Sequence, residues 1–378
     1  MTLNDEIEAK RQHIRSDGYQ MSIGEFTNLY RDEEIKIRPE YQRLFRWGVE
    51  KKSRLIESIL LDIPLPSIFV AADGDGVWEV VDGLQRLSTI FEFMGILRDE
   101  AAGTTAEASQ LVGTKYLPSL EGKYYDKEDD EANSLTVKQR LAIKRAKLDV
   151  KILLQGTDPS VRFELFDRLN SGGQPTSEQE VRSAQLLMTH PDFFRWLDSK
   201  RNEEHFKETL PLTGRQISEQ YDLELALRFF VLYYSRPEVL ARFADFDSLL
   251  SDQAEALAEL DLDLIRDDYS IETANSLFDR TFTLLSSSEL DVFRRYDQGR
   301  ERFSGAFSVS TFEALSVGVA ANIAAWEALK PEERGEKLIA ACRKLSSDRR
   351  FREKSGAGVR ATQRVPVMVQ IGPKIFKP

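Results

Sequence analysis

Apolar and polar positions change their period along the chain near residue 190. Before it, short β-rich runs are interleaved with stretches of helical period; beyond Pro191 the β signals fade and amphipathic helices dominate. Residues 1–20 read as a charged helix or arm, and Met21 to Tyr30 as a short strand and helix. Tyr41-Gln42-Arg43 follows Pro39, which favours extended backbone before it. Ser53 to Leu61 forms a predicted helix with Leu55, Ile56, Ile59 and Leu60 on one face. Ser67 to Ala72 and Val77 to Val81 are predicted strands around the hairpin turn Asp73-Gly74-Asp75-Gly76. The second of these strands runs through Asp82-Gly83 into a helix whose buried face is Leu84, Leu87, Ile90, Phe91 and Met94.

Residues 99–134 are acidic and irregular and predict an exposed insertion, with Lys115 to Leu120 and Tyr124 to Tyr125 packing locally. A helix over Thr136 to Ala146 follows, then the strand Leu148 to Leu154, whose apolar run suits a buried position. A helix around Pro159 to Leu169 leads to the loop Asn170-Ser171-Gly172-Gly173. Ser177 and Glu180 form a capping-box pattern for a helix ending near His190. Tyr221 to Tyr234, Glu272 to Leu285 and Ser310 to Leu329 are amphipathic. The expected fold class is α+β, a small mixed sheet with helices followed by an all-helical domain. The expected boundaries are 1–190, 191–340 and a basic C-terminal tail, 341–378.

Composition narrows the function classes. At 378 residues and 41% hydrophobic content the chain can bury two modest cores. The longest apolar stretch, Leu315 to Trp326, is too short and too rich in small residues to span a bilayer, and the first residues are charged rather than signal-like. A soluble cytoplasmic protein without membrane contact is expected. The single cysteine, Cys342, excludes an internal disulfide, and His13, His190 and His205 are not spaced as a metal cluster. From Ala341 onward ten Lys or Arg face two acidic residues, so this stretch carries about +8 and the remainder about −19. Arg343, Lys344, Arg349, Arg350, Arg352 and Lys354, with Phe351 among them to stack on a base, are candidates for DNA contact. A solvated helix end and a tail docked on an acidic body account for the same residues.

The chemistry concentrates at Asp82-Gly83-Leu84-Gln85-Arg86. A strand entering a helix through glycine leaves unpaired N–H groups and partial positive charge at the helix start, which suits a phosphate. Arg86 is the first candidate phosphate ligand, because a guanidinium offers a planar fork of donors; Gln85 would orient a phosphate or an attacking water. Asp82 would hold magnesium or accept a proton from that water, or it stabilises the turn. The second glycine loop, with Asn170, Gly172 and Gly173, would let a backbone approach the same polyphosphate, or is a plain helix connection. Arg182 is a further candidate on a capped helix, where a structural ion pair is the ordinary role. The aspartates of the 73–76 turn do not form a calcium loop, since the twelfth position counted from Asp73 is Leu84.

Asp82-Gly83-Leu84-Gln85-Arg86 resembles the Asp-Gly-Gln-Gln-Arg signature of the GmrSD N-terminal-domain family, a branch of the ParB/sulfiredoxin superfamily. Tyr41 to Trp47, Ser53 to Leu60 and Ile63-Pro64-Leu65-Pro66 are similar to its opening strand, helix and proline turn. Phe166 to Gly173 and Ser177 to Arg182 are similar to its second block. The likeness runs over roughly residues 20–235. It implies a ParB/sulfiredoxin-like domain that binds and often hydrolyses nucleotides in prokaryotic restriction and antiviral systems, and it places Arg43 near the phosphates. Leu84 stands where the family has its first glutamine; a leucine donates no hydrogen bond, whereas backbone N–H groups are unaffected.

No histidine cluster of a His-Asn-His nuclease is present. The short Asp149-Val150-Lys151 and Glu121-Gly122-Lys123 spacings lack an upstream acidic partner. The chain is therefore expected to be a nucleoside-triphosphate hydrolase using Mg2+ and to act with a separately encoded nuclease or effector; a homo-oligomer is compatible with the sequence. The alternative is a catalytically inactive ParB-like DNA-binding or adaptor protein using the basic tail.

Overall fold

The computed structural model describes residues 16–37, 47–99, 103–153, 177–356 and 358–378. It divides into two compact units, 1–175 and 176–378.

The first unit is built on a five-stranded mixed sheet. Strand β1 (Ser16–Ser22) runs into helix α1 (Ile23–Arg31), capped by the Ser22 hydroxyl accepting from Glu25 N. There follow β2 (Ile35–Lys36), α2 (Val49–Leu60), β3 (Ile68–Ala72), β4 (Trp78–Asp82) and α3 (Leu84–Phe93). A small pair, β5 (Arg98–Asp99) and β6 (Thr104–Thr105), precedes α4 (Val137–Arg145) and β7 (Lys147–Leu153). The sheet order is β1-β7-β3-β4-β2. β3 and β4 form the expected antiparallel hairpin, while β7 lies parallel to β3 and antiparallel to β1. Leu148, Val150 and Ile152 of β7 are buried, but Lys147, Asp149 and Lys151 are exposed. The strand read as continuously apolar thus covers a core with one face only. That core joins Met21, Ile68, Val70 and Val80 of the sheet to Phe26, Ile56, Leu87, Ile90 and Phe91 of the helices, with Tyr30 stacked on Phe91 at 4.4 Å.

The 103–135 segment is less free than its acidity predicts. Leu111, Leu120, Tyr125 and Leu135 are buried. Two polar residues of α2 hold the segment: Ser53 Oγ accepts from Val112 N at 2.9 Å, and Glu57 Oε1 accepts from the amides of Tyr116 and Leu117 at 2.9 and 3.0 Å and from the Thr114 hydroxyl. A buried carboxylate that loses water must recover its hydrogen bonds, and this loop supplies them.

The second unit is helical apart from one hairpin. Its main helices are α5 (Glu178–Thr189), α6 (Tyr221–Tyr234), α7 (Phe246–Glu259) and α8 (Ile271–Ser286). The hairpin β8 (Arg295–Asp297) and β9 (Arg302–Ser304) is followed by α9 (Val309–Ala321), α10 (Pro331–Ser347), α11 (Arg349–Lys354) and α12 (Ala361–Ile375). The capping box at Ser177 and Glu180 forms as predicted. The apolar stretch expected as one helix over Ser310 to Leu329 breaks at Asn322, whose side chain donates to the carbonyls of Gly318 and Pro373.

Residues 341–378, read from composition as a basic tail, belong to this unit. Val365, Met368, Ile371 and Ile375 of α12 are buried, and α12 crosses α9 where Gly318 meets Gly372. Arg364 pairs with fully buried Glu313 at 2.8 Å, and Arg228 of α6 binds the same carboxylate at 2.9 Å. Trp326 Nε1 donates to Phe376 O at 2.7 Å. The apolar period of α12, masked in composition by its flanking cations, is what places it in the core.

Candidate functional site

The turn between β4 and α3 is shaped by Gly83. Its φ is 90°, and an added Cβ would stand 2.3 Å from Ile68 Cδ1 on β3, so both backbone and space demand glycine. Leu84, the departure from the family signature, is buried beside Leu87. A leucine there adds to the core.

Arg86 faces inward. Nη2 donates to Asp82 Oδ2 at 2.9 Å, and Nη1 donates to the carbonyls of Pro66 and Ser67, the latter at 3.2 Å. Its side chain is only 12% exposed. Burial lowers its pKa and Asp82 opposes the shift; a guanidinium starts so high that it keeps its charge. Arg86 therefore ties the start of α3 to the segment before β3, with its charge paired to Asp82.

Among the described residues no side chain caps α3, and the first amide bonded back is Leu87 N, to Gly83 O at 3.0 Å. The amides of Leu84, Gln85 and Arg86 make no hydrogen bond among the described residues. Gln85 Oε1 accepts from Trp47 N at 3.2 Å, which fixes the carboxamide and leaves Nε2 buried without a partner among the described residues. Ser88 Oγ, one turn along the same face, is likewise buried and unpartnered. Farther along, Glu92 pairs with Lys52 at 2.6 Å, and the Lys51 ammonium lies 4.2 Å over the Trp47 ring. Unsatisfied donors at a helix start, next to an arginine, are what an anion would satisfy.

Arg43, Asn170, Gly172 and Gly173 lie outside the described residues, as does the helix expected over Pro159 to Leu169. Arg182 is in the second unit, 2% exposed, and is committed there: Nη1 to Gln179 Oε1 at 2.5 Å, Nε to Ser251 Oγ at 3.2 Å, and Nη2 to Asp247 O and Oδ1 at 3.2 and 3.3 Å. Phe351, considered for base stacking, is 5% exposed and unavailable to a base. Among the described residues no three His, Cys, Asp or Glu side chains form a metal-binding group. Sequence reasoning passed over Trp47 as a donor and Glu57 as an anchor. A carboxylate between Ile56 and Ile59, inside an apolar stripe, is the signal that points to the latter.

The first unit is thus a small mixed-sheet α+β module with a helix N-terminus, uncapped among the described residues, at a strand–glycine–helix turn. Residues 25–187 match the family model of the GmrSD restriction endonuclease, N-terminal domain. The match suggests a component of a restriction system. No curated protein and no solved structure matches the chain. Among the described residues no helix is long and apolar enough to cross a membrane.

Proposed function

We propose that the β4–α3 turn is the phosphate end of a nucleotide site, and that the chain is a nucleoside-triphosphate hydrolase acting in a restriction system with a separately encoded nuclease. The observation that carries this is the set of three amides, Leu84 to Arg86, that make no hydrogen bond among the described residues, together with Gln85 Nε2, which has no partner among them. In this reading the amides and Gln85 contact phosphate oxygens, and the Asp82–Arg86 pair, neutral overall, positions the turn. Asp82 Oδ2 is held by Arg86, so Oδ1 is the atom left for magnesium. One carboxylate together with nucleotide phosphates and water is an ordinary magnesium environment, and the ion would neutralise charge on the phosphates.

The test is binding of a fluorescent nucleoside triphosphate with Mg2+, and phosphate release, for the wild type and Gln85→Glu. A carboxylate at position 85 faces the phosphates, and a loss of about tenfold or more in affinity is expected, equal to about 1.4 kcal/mol. Unchanged affinity in the variant, or no binding by a folded wild type, overturns the proposal; binding without phosphate release moves the chain to the adaptor class.

A further inference from the structure

We infer that the β8–β9 hairpin and the α10–α11 corner form one docking surface for the phosphate backbone of duplex DNA. The sequence separates these elements by some forty residues, and the fold joins them. Gln298 Nε2 donates to Arg343 O at 3.3 Å and Ser347 Oγ at 2.6 Å, Arg343 Nε donates to the Tyr296 hydroxyl at 2.8 Å, and Arg295 Nη2 donates to Ser355 O.

The register sorts the side chains. Tyr296 and Phe303 are opposite one another in the ladder and pack edge to face at 5.2 Å on the inner side, so Arg295 and Arg302 take the outer face. On the helical side Phe351 turns inward, while Lys344, Arg349, Arg350 and Arg352 are exposed. Asp297 shares that outer face, opposite Arg302 in the ladder, and exposed Glu301 pairs with Arg343 at 3.4 Å, so the acids of this surface are engaged locally. Asp297 accepts from Gly299 N and Arg300 N in the hairpin turn, and Asp348 caps α11 through Arg350 N and Phe351 N. Arg349 and Arg350 hold ion pairs with Glu353 and Asp348, solvent-exposed pairs of the kind a phosphate displaces readily. Arg302, Lys344 and Arg352 have no carboxylate within 4.0 Å among the described residues.

The chemistry selects the partner. None of the exposed large apolar residues among the described residues lies on the hairpin or the corner, so the surface lacks the anchor a protein partner needs. With its aromatics turned inward it also lacks the platform on which unpaired bases stack. A sheet of cations on rigid backbone matches the regular charge of a duplex, and the net −11 of the chain orients such a partner toward this face.

The experiment titrates a labelled duplex of about 20 base pairs with the full chain, comparing Arg302→Glu, Arg352→Glu and Arg215→Glu, an equal charge reversal off this surface. Five phosphate contacts predict a fall in affinity of roughly 500-fold between 50 and 200 mM salt. Arg302→Glu and Arg352→Glu are each expected to weaken binding about tenfold and flatten the salt dependence, with Arg215→Glu changing affinity less than about threefold. Equal effects of all three, tighter binding of single strands or RNA, or no binding at low salt overturns the inference. Nucleotide binding measured in the same samples depends on the first unit, so its failure and the failure of DNA binding are read separately.

Discussion

Replacing Gly83 by alanine separates two physical effects when it is set beside Gly76→Ala. Both glycines have positive φ, 90° and 82°, but an added Cβ meets Ile68 Cδ1 at 2.3 Å at position 83 and nothing within 4 Å at position 76. The conformational part, about 1–2 kcal/mol, is common to the two. Only Gly83→Ala must also displace Ile68, which is fully buried in β3, and overpacking of this kind costs about 1–3 kcal/mol. The expected totals are about 1–2 kcal/mol for Gly76→Ala and about 2–5 kcal/mol for Gly83→Ala, or roughly 2–8 °C against 4–20 °C in Tm. The new methyl would also lie 3.2 Å from Arg86 Nη2, so loosening of the Asp82–Arg86 brace is expected in Gly83→Ala alone. Thermal unfolding and hydrogen exchange of the β4–α3 amides measure both effects. Equal Tm shifts with equal exchange would refute the contact between the turn and Ile68 as the reason for glycine.

Gly372→Ala is expected to destabilise the second unit by about 2–4 kcal/mol in urea titration despite the better helix propensity of alanine, because its Cβ would stand 2.2 Å from Ala314 O and prise α12 from α9; a neutral or stabilised variant contradicts that crossing. Glu57 is held below its ordinary value of 4.5, first by the Thr114 hydroxyl and then by the Tyr116 and Leu117 amides. A lowered folded-state value stabilises above the unfolded value and is lost as pH falls through the folded one. Exchange protection of the 114–117 loop should therefore be full at about pH 6 and decline below about pH 4. Glu57→Gln should remove that pH dependence, and an unchanged acid profile in the variant would show that another group holds the loop.

Local chemistry was the legible part of this chain. The Asp73–Gly76 turn, the strand–glycine–helix at Gly83, the Ser177 cap and the helix Tyr221–Tyr234 each depend on residues a few positions apart. What escaped depends on partners far along the chain. β7 enters the sheet between β1 and β3, a pairing no local period encodes. Arg86 reads locally as a candidate phosphate ligand, and its bonds to the carbonyls of Pro66 and Ser67, some twenty residues back, have no local signal. The cations after residue 341 read as a tail because composition averages over the apolar stripe of α12. The amide set at Leu84 to Arg86 was foreseeable from the motif; the hold of Trp47 N on Gln85 Oε1 was not.

The family match begins at residue 25, three residues beyond the end of β1, and stops at residue 187, inside α5. All seven residues of β1 are in register with β7, from Ser16 against Leu153 to Ser22 against Lys147. A fragment cut at the bounds of the match would strip that partner and turn β7 into a bare edge, with a row of unpaired amides and carbonyls offered to any neighbouring chain. It would also carry a severed piece of a helix that belongs to the other unit. Such a fragment should self-associate, and a soluble single-domain version of the first unit has to start no later than Ser16.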